Sequence, residues 1–365
     1  MAEPPGRIGA VLEGRARILL TLFLVLLLAF LAYRLVCAPA PPPVEFTGDT
    51  MGTIYSVKLA ASDLSAPARG AIRQAIEERL KRVDRLMSTY LPDSELSRFN
   101  RHAANDPFPA APETLEVFRI AREVSQLSGG AFDVTVGPLV AAWGFGATDR
   151  ILAPPAEAEL ARLRSRVGFE RIEIAAAAGT LTKTRAGAVC DLSAIAKGYA
   201  VDQVAAALRE LGHGDFLVEV GGEVRAQGRR PDGAFWRVAI ETPDSVPRGV
   251  FEVVPLRDIA LATSGDYRNY YEAGGRRISH TIDPRTGRPV EHALASVSVL
   301  HSDAVHADAL ATALNVLGPE AGYALAEREG LAAYFIVRRE DGRFASFATP
   351  AFQRARGAPE SRSTQ

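Results

Sequence analysis

Two cysteines in 365 residues, Cys37 and Cys190, are too few for a disulfide framework. Lysine is nearly as scarce. Only Lys58, Lys81, Lys183 and Lys197 occur among 42 basic residues, and the rest are arginines. A lysine inside a motif is therefore more informative here than usual. The formal net charge is −1 and no basic block interrupts the body, so nucleic-acid binding has no electrostatic footing. The Gly-x4-Gly-Lys-Ser/Thr spacing of a phosphate-cradling P-loop is absent, as is any fixed-period repeat.

The chain is 47% hydrophobic and 23% charged, ordinary for a globular protein, and long enough for one large domain or two smaller ones. Its longest apolar run, residues 18–33, follows Arg15 and Arg17 and precedes Arg34 and the proline-rich residues 38–43. Basic residues ahead of an apolar run place its start in the cytoplasm. The run is longer than a typical signal-peptide core and shorter than an ideal membrane span. The expectation is an uncleaved anchor in the inner membrane with the body on the exported, periplasmic side; a cleaved signal peptide is the alternative. The predicted organisation is a cytoplasmic segment 1–17, an anchor or signal segment 18–36, a linker 37–45, a body 46–352 and a polar, disordered tail 353–365.

Within the body, Tyr55, Val57 and Leu59 alternate with polar residues, the period of a half-buried strand. Ile72, Ile76, Leu80, Val83 and Met87 fall on one helical face, as do Val117, Ile120, Ala121, Val124 and Leu127. Val201, Val204, Ala205, Leu208 and Leu211 mark a further helix, stopped by Gly212. Short strand candidates lie at 216–220, 236–240, 251–254, 295–300 and 333–338. Helices do not alternate regularly with strands, which predicts an α+β fold of sheets with packed helices rather than a doubly wound parallel sheet.

Eight unusual runs follow in order: Thr50-Met-Gly-Thr53 with the strand after it; Ser88-Thr-Tyr90 through Asn100; Gly130-Ala-Phe-Asp133-Val-Thr135 with Trp143-Gly-Phe145; Asp191-Leu-Ser-Ala194-Ile-Ala-Lys197-Gly198; Val220-Gly-Gly-Glu223; Thr263-Ser-Gly-Asp266; Ser279-His280-Thr281-Ile282-Asp283-Pro284; and Ala307-Asp308-Ala-Leu-Ala-Thr312. In this order they resemble the ApbE family of FAD:protein FMN transferases, over nearly the whole body from about residue 46 to 352. That resemblance implies a T-fold-like α+β architecture.

The residues also carry chemistry of their own. Asp308 and Thr312 lie one helical turn apart, opposite the apolar face of Leu310, Leu314 and Leu317. A carboxylate and a hydroxyl are hard oxygen ligands suited to Mg²⁺, although such pairs are commonly just a solvated helix surface. Lys197 stands where a strand-like run turns into a helix opening near Gly198, a place where free backbone N–H groups favour an anion; a surface lysine is the plain alternative. Asp191 reads equally as a helix cap. His280 is one of six histidines, a type more often structural than catalytic. Met51, Tyr90, Trp143 and Phe145 suit a flavin or adenine pocket or ordinary core packing.

The resemblance implies that Asp308, Thr312 and the Ala194 carbonyl hold Mg²⁺, and that Lys197 contacts phosphate. Met51, Ser88, Thr89, Tyr90, Asp133, Thr135, Asp191, Thr281 and Ile282 are implied FAD contacts, with His280 as a pyrophosphate contact or proton acceptor. Asp308, Lys197 and His280 are thus the expected catalytic set. Ser193-Ala194 and Glu223 are mild departures from the pattern, Glu223 standing where an aspartate is common. The implied reaction moves FMN from FAD to a threonine of an acceptor protein, a subunit of a membrane electron-transfer complex, and releases AMP. A Mg²⁺-dependent FAD pyrophosphatase and a non-catalytic exported flavin-binding protein are the rival readings.

Overall fold

The computed structural model describes residues 17, 19–30, 41–61, 63–146, 154–243, 249–266, 269–273 and 276–356. The chain divides into two units, 1–42 and 43–365. In the first, residues 19–30 are helical with exposed side chains. No helix among the described residues is long and apolar enough to cross a membrane. The remainder of the expected anchor, residue 18 and residues 31–36, lies outside the described residues.

The second unit is built on an eight-stranded sheet whose strands are neighbours in chain order: β1 (Val44–Thr50), β2 (Thr53–Leu59), β3 (Phe216–Val220), β4 (Glu223–Gln227), β5 (Ala260–Gly265), β6 (Leu294–His301), β7 (Ala332–Arg338) and β8 (Phe344–Ala348). Every pairing in it is antiparallel. Side-chain alternation decides what each face meets. Phe216, Val218 and Val220 of β3 and Ala333 and Phe335 of β7 enter the larger core, while Leu217, Tyr334 and Ile336 face a second one.

The larger core is closed by four long helices: α1 (Ala66–Met87), α2 (Pro112–Leu127), α3 (Ala196–Glu210) and α4 (Ala304–Arg328). The apolar faces read from the sequence are buried at Ile72, Ile76, Leu80 and Val83 of α1, Val117, Ile120, Ala121 and Val124 of α2, and Val201, Val204, Ala205 and Leu208 of α3. Leu211, expected on the last face, is exposed because α3 ends at Glu210 and Leu211 caps it. Ser65 caps α1 by accepting the Ala68 N–H, and Asp303 caps α4 by accepting the His306 N–H. α4 kinks at Gly318, whose φ of +80° is a glycine conformation and where a Cβ would sit 2.7 Å from the His292 ring.

The other face of the sheet is covered by the hairpin Trp236–Glu241/Val250–Leu256 and the helix Pro350–Arg356. Phe352 is fully buried there, and Arg356 pairs with Glu252 at 3.2 Å. The chain therefore stays ordered four residues beyond the expected start of the tail, because the hairpin supplies a surface for one more amphipathic turn. Residues 357–365 lie outside the described residues. A third, smaller core joins Leu139, Trp143, Leu160, Leu163, Ile278 and Ile282. The α+β expectation holds.

Candidate active site

The site forms where α3 and α4 pack against each other at the ends of β2, β3 and β5. α3 opens at Ala196, two residues before the predicted start, so its first turn carries Lys197 and Gly198. α4 approaches so closely that a Cβ on Gly198 would lie 2.2 Å from the Ala304 carbonyl oxygen and 2.8 Å from the Asp308 Cβ. Only glycine permits that contact. It lets the Gly198 N–H, one of the free donors at the helix start, reach Asp308 Oδ2 at 2.9 Å. Asp308 is consequently buried, not part of a solvated helix face.

Lys197 lies between two buried acids. Its Nζ is 2.6 Å from Glu223 Oε1. Burial raises the pKa of Asp308, and the ammonium of Lys197 counters that shift. Burial likewise pushes Glu223 up to about 7; Lys197 opposes the rise, and the nearby Asp308 charge adds to it. Glu223 Oε2 is buried without a hydrogen-bond partner. With both acids ionised, two carboxylates and one ammonium leave a surplus of negative charge and an oxygen with unused lone pairs. Such a donor set fits a hard divalent cation.

In the sequence Glu223 stands out only as a departure from the family pattern. The signal for its role was its position directly after Gly221-Gly222, both at positive φ, in the tight β3–β4 connection. A Cβ on Gly221 would stand 2.9 Å from Thr53 and 3.2 Å from the Lys197 side chain, so the β1–β2 turn reaches the same place. Met51 heads that turn in the left-handed conformation (φ +47°), unusual for a non-glycine residue, and packs partly against the larger core.

On α4, Asp308, Thr312 and Asn315 are spaced i, i+4, i+7 and form one stripe. Thr312 is half-buried. Asn315 is fully buried and donates through Nδ2 to Ser264 Oγ (3.1 Å) and Thr281 Oγ1 (3.4 Å). The stripe thus links Lys197 at one end to the 279–282 segment at the other. Asn315 was not among the predicted residues, since an asparagine inside an apolar helix gives no sign from sequence of what it will meet.

His280 follows the strand Arg276–Ser279, as its position before a turn predicted. The Asn269 carbonyl accepts from the His280 backbone N–H (3.1 Å) and from ring Nδ1 (2.9 Å). A carbonyl can only accept, so Nδ1 carries the proton and Nε2 presents a lone pair. Burial lowers the His280 pKa, the bond to the Asn269 carbonyl partly offsets this, and the Lys197 charge adds to the lowering, which favours the neutral imidazole and places it within electrostatic reach of that ammonium. The Phe145 ring stands edge-on to His280, with centroids 6.2 Å apart. Trp143 is core instead: it is buried and donates Nε1–H to the Gly287 carbonyl at 2.8 Å.

Asp133 and Thr135 are both buried and bonded to each other. Asp133 Oδ1 accepts from the Thr135 N–H and from its hydroxyl, each at 2.7 Å, and Thr135 Oγ1 accepts the Gly168 N–H. These bonds fasten a loop whose neighbour is the 188–191 segment, since the Asp191 N–H donates to the Val134 carbonyl. Asp191 Oδ1 accepts from the Ser193 N–H and Oγ, bracing the turn that holds Ala194 ahead of α3. Ser88 Oγ accepts the N–H groups of Tyr90 and Leu91, and its carbonyl accepts from Ser94 Oγ, so the loop from Ser88 to Ser94 is self-braced ahead of the helix Glu95–Arg101. Thr89 beside it is half-buried, and Tyr90 projects into solvent. Ile282 is buried in the third core.

The structure thus gathers Lys197, Glu223 and Asp308, links Thr281 and His280 to them through α4 and the Lys197 charge, and brings the Met51 turn beside them. Asp133, Thr135, Asp191 and Ser88 act locally as braces of the loops around it. Chemically the arrangement offers acidic oxygens for a cation, an ammonium for an anion and a bare imidazole nitrogen for a proton. This is the equipment of an enzyme acting on phosphate esters.

Comparison with known proteins narrows that class. The ApbE family model matches residues 51–335. The FAD:protein FMN transferase of Vibrio cholerae (strain O395) is 43% identical over 317 residues, 87% of this chain and 94% of its own. That of Escherichia coli K12 is 35% identical over 339 residues, covering 90% and 96%. Among solved structures, the flavin transferase ApbE from Vibrio cholerae superposes with a TM-score of 0.78 at 42% identity, over 86% of this chain and 99% of that one. Pseudomonas stutzeri flavinyl transferase ApbE in its apo form gives 0.80 at 41% identity, over 88% and 99%. The chain belongs to the ApbE family and is a transferase enzyme of that class.

Proposed function

We propose that this protein transfers FMN from FAD to a threonine hydroxyl of an acceptor protein and releases AMP. The observation that carries this reading is the buried cluster of Glu223, Lys197 and Asp308 beside a neutral His280. FAD has one bond whose cleavage uses all of these groups, the pyrophosphate linkage. The acceptor oxygen attacks the FMN-side phosphorus, a new P–O bond forms, and the bond to the AMP phosphate breaks with its electrons going to AMP. The hydroxyl proton passes to His280 Nε2. Lys197 exchanges its contact with Glu223 for a pyrophosphate oxygen. Asp308, Thr312, Glu223 Oε2 and the Ala194 carbonyl are the groups that would hold Mg²⁺, which when bound supplies neutralisation of phosphate charge. Met51, Phe145, Thr281 and the braced loops at 88–97 and 133–135 form the walls against which FAD is held. Catalysis on this plan is positioning plus electrostatics.

Arg15, Arg17 and the apolar run after them support an inner-membrane location with the body on the periplasmic side. A subunit of a membrane-bound electron-transfer complex is the matching acceptor. The test is incubation of the purified protein with FAD, Mg²⁺ and an acceptor domain. Flavin fluorescence should migrate with the acceptor on a denaturing gel, one flavin per AMP released. Free FMN and AMP without protein-bound flavin would make the protein a pyrophosphatase, and intact FAD would make it a flavin-binding protein.

A further inference from the structure

At the N-terminal end of α4, one turn before Asp308, lies a second group of potential ligands that the transfer reaction does not use. Asp303 sits between two imidazoles. Its Oδ2 is 3.4 Å from His301 Nδ1 and its Oδ1 is 2.6 Å from His306 Nδ1. The two rings are 4.9 Å apart at centroid and inclined by 30°. One ligand atom from each of the three residues falls within 4.8 Å of the others, and all three side chains are half-buried, open enough for an ion to enter.

We propose that His301, Asp303 and His306 form a site for a transition-metal dication of the Zn²⁺ type, separate from the Mg²⁺ site. The ligand chemistry favours it: two imidazoles and one carboxylate suit Zn²⁺, Ni²⁺ or Cu²⁺, whereas Mg²⁺ prefers oxygen alone. The distances favour it too. With bonds near 2.05 Å, two ligand atoms on a tetrahedral zinc stand about 3.3 Å apart, and His301 Nδ1 and Asp303 Oδ2 are already 3.4 Å apart. The Asp303 N–H donates to His301 Nδ1 at 3.3 Å, so that nitrogen is unprotonated, and a metal would take over the lone pair that the N–H now uses. The His306 contact has to open by a fraction of an ångström and release to solvent the proton held between Nδ1 and the carboxylate.

Two surrounding features complete the site. Glu123 Oε2 lies 3.7 Å from His306 Nε2, beyond hydrogen-bond distance but near enough to add negative charge beside the site. The positive end of the α4 dipole would ordinarily oppose a cation. Here Asp202 Oδ2 accepts the Ala304 and Val305 N–H groups and Asp303 Oδ1 accepts that of His306, so the helix end is already met by two carboxylates. An ion held here would tie the end of β6 to the start of α4.

The test uses the full-length protein without a histidine tag, freed of metal by chelation and then titrated with Zn²⁺ or Co²⁺ in excess Mg²⁺. One equivalent should bind at micromolar concentration or below, Co²⁺ giving the visible absorption of a low-coordinate site, and Zn²⁺ should raise the melting temperature. His301→Gln and His306→Ala should each weaken binding about 10- to 100-fold or more and abolish the melting shift, while flavin transfer with Mg²⁺ continues. Asp308→Asn should leave Zn²⁺ binding intact. Binding only at millimolar concentration, equal affinity in both histidine variants, or loss of the signal in Asp308→Asn alone would each overturn the proposal. Circular dichroism checks that the variants are folded, and the milder glutamine variant decides if the alanine one is not.

Discussion

Lys197 Nζ stands 2.6 Å from Glu223 Oε1, on the first turn of a helix whose next residue donates its N–H to Asp308 Oδ2. One ammonium therefore serves two buried carboxylates, and the local charge is balanced only when one of them holds a proton or a cation arrives. That relationship governs most of what should be measurable.

Removing Lys197 strands both acids. Lys197→Ala should lower stability by about 3 kcal/mol, the scale for breaking a buried ion pair, and reduce transfer about 100-fold or more. Lys197→Arg should recover only part of the rate, because a planar fork does not occupy a point charge's seat. The double variant Lys197→Met/Glu223→Gln should regain stability in chemical denaturation without regaining activity. Recovery of both together would show that the lysine is structural only.

Asp308→Ala should abolish turnover and weaken Mg²⁺ binding, measured by calorimetry, while FAD still binds weakly. Asp308→Asn keeps an oxygen for the Gly198 N–H and should fold better than the alanine variant, yet remain at least about 100-fold slower for want of the charge. Near-normal rates in either variant at modest Mg²⁺ would remove Asp308 from the ligand set.

Glu223 predicts a pH dependence. Its carboxyl is raised from 4.5 to about 7 in the folded protein. Between those values the native state holds a proton that the unfolded chain has released. This contribution to stability is full below pH 4.5 and is lost as pH rises through 7. In chelator, the unfolding free energy of the wild type should fall from pH 5 to pH 8 more steeply than that of Glu223→Gln. Parallel curves would place the titration elsewhere.

Gly198→Ala tests the helix contact. A methyl group 2.2 Å from the Ala304 carbonyl oxygen must push α3 and α4 apart. The melting temperature should fall by an amount equivalent to about 1–3 kcal/mol, the usual cost of overpacking. Mg²⁺ affinity should fall with it, because Asp308 moves with α4. A stable variant with wild-type affinity would mean that the helices can separate without disturbing the site.

Much of this molecule is legible in its sequence for a simple reason: burial of apolar surface obeys local periodicity. The helical faces of Ile72–Val83 and Val201–Leu208 and the alternation at Tyr55–Leu59 each predict the side that enters the core, and each does so. Strand ends moved by no more than two residues, as at Leu294–His301 and Val250–Leu256, because pairing with a neighbour, not propensity, decides where a ladder stops. The ordered run vicinal to the C-terminus, Pro350–Arg356, escaped the reading because its partner surface is a hairpin about a hundred residues earlier.

The site divides along the same line. Which residues could do chemistry is readable along the chain, since the rare lysine, the Asp308/Thr312 spacing and the histidine before a turn are local facts. The tertiary structure decided which of them meet. Glu223, 26 residues after Lys197, became its partner through the β3–β4 turn; Asn315 joined α4 to Thr281; and Asp133 and Thr135 were turned toward each other. The direction of the buried pKa shifts belongs to the structure as well. Desolvation and the field of a neighbouring charge depend on distances through space, which for Lys197, Glu223 and Asp308 are set by how closely a glycine lets two helices approach.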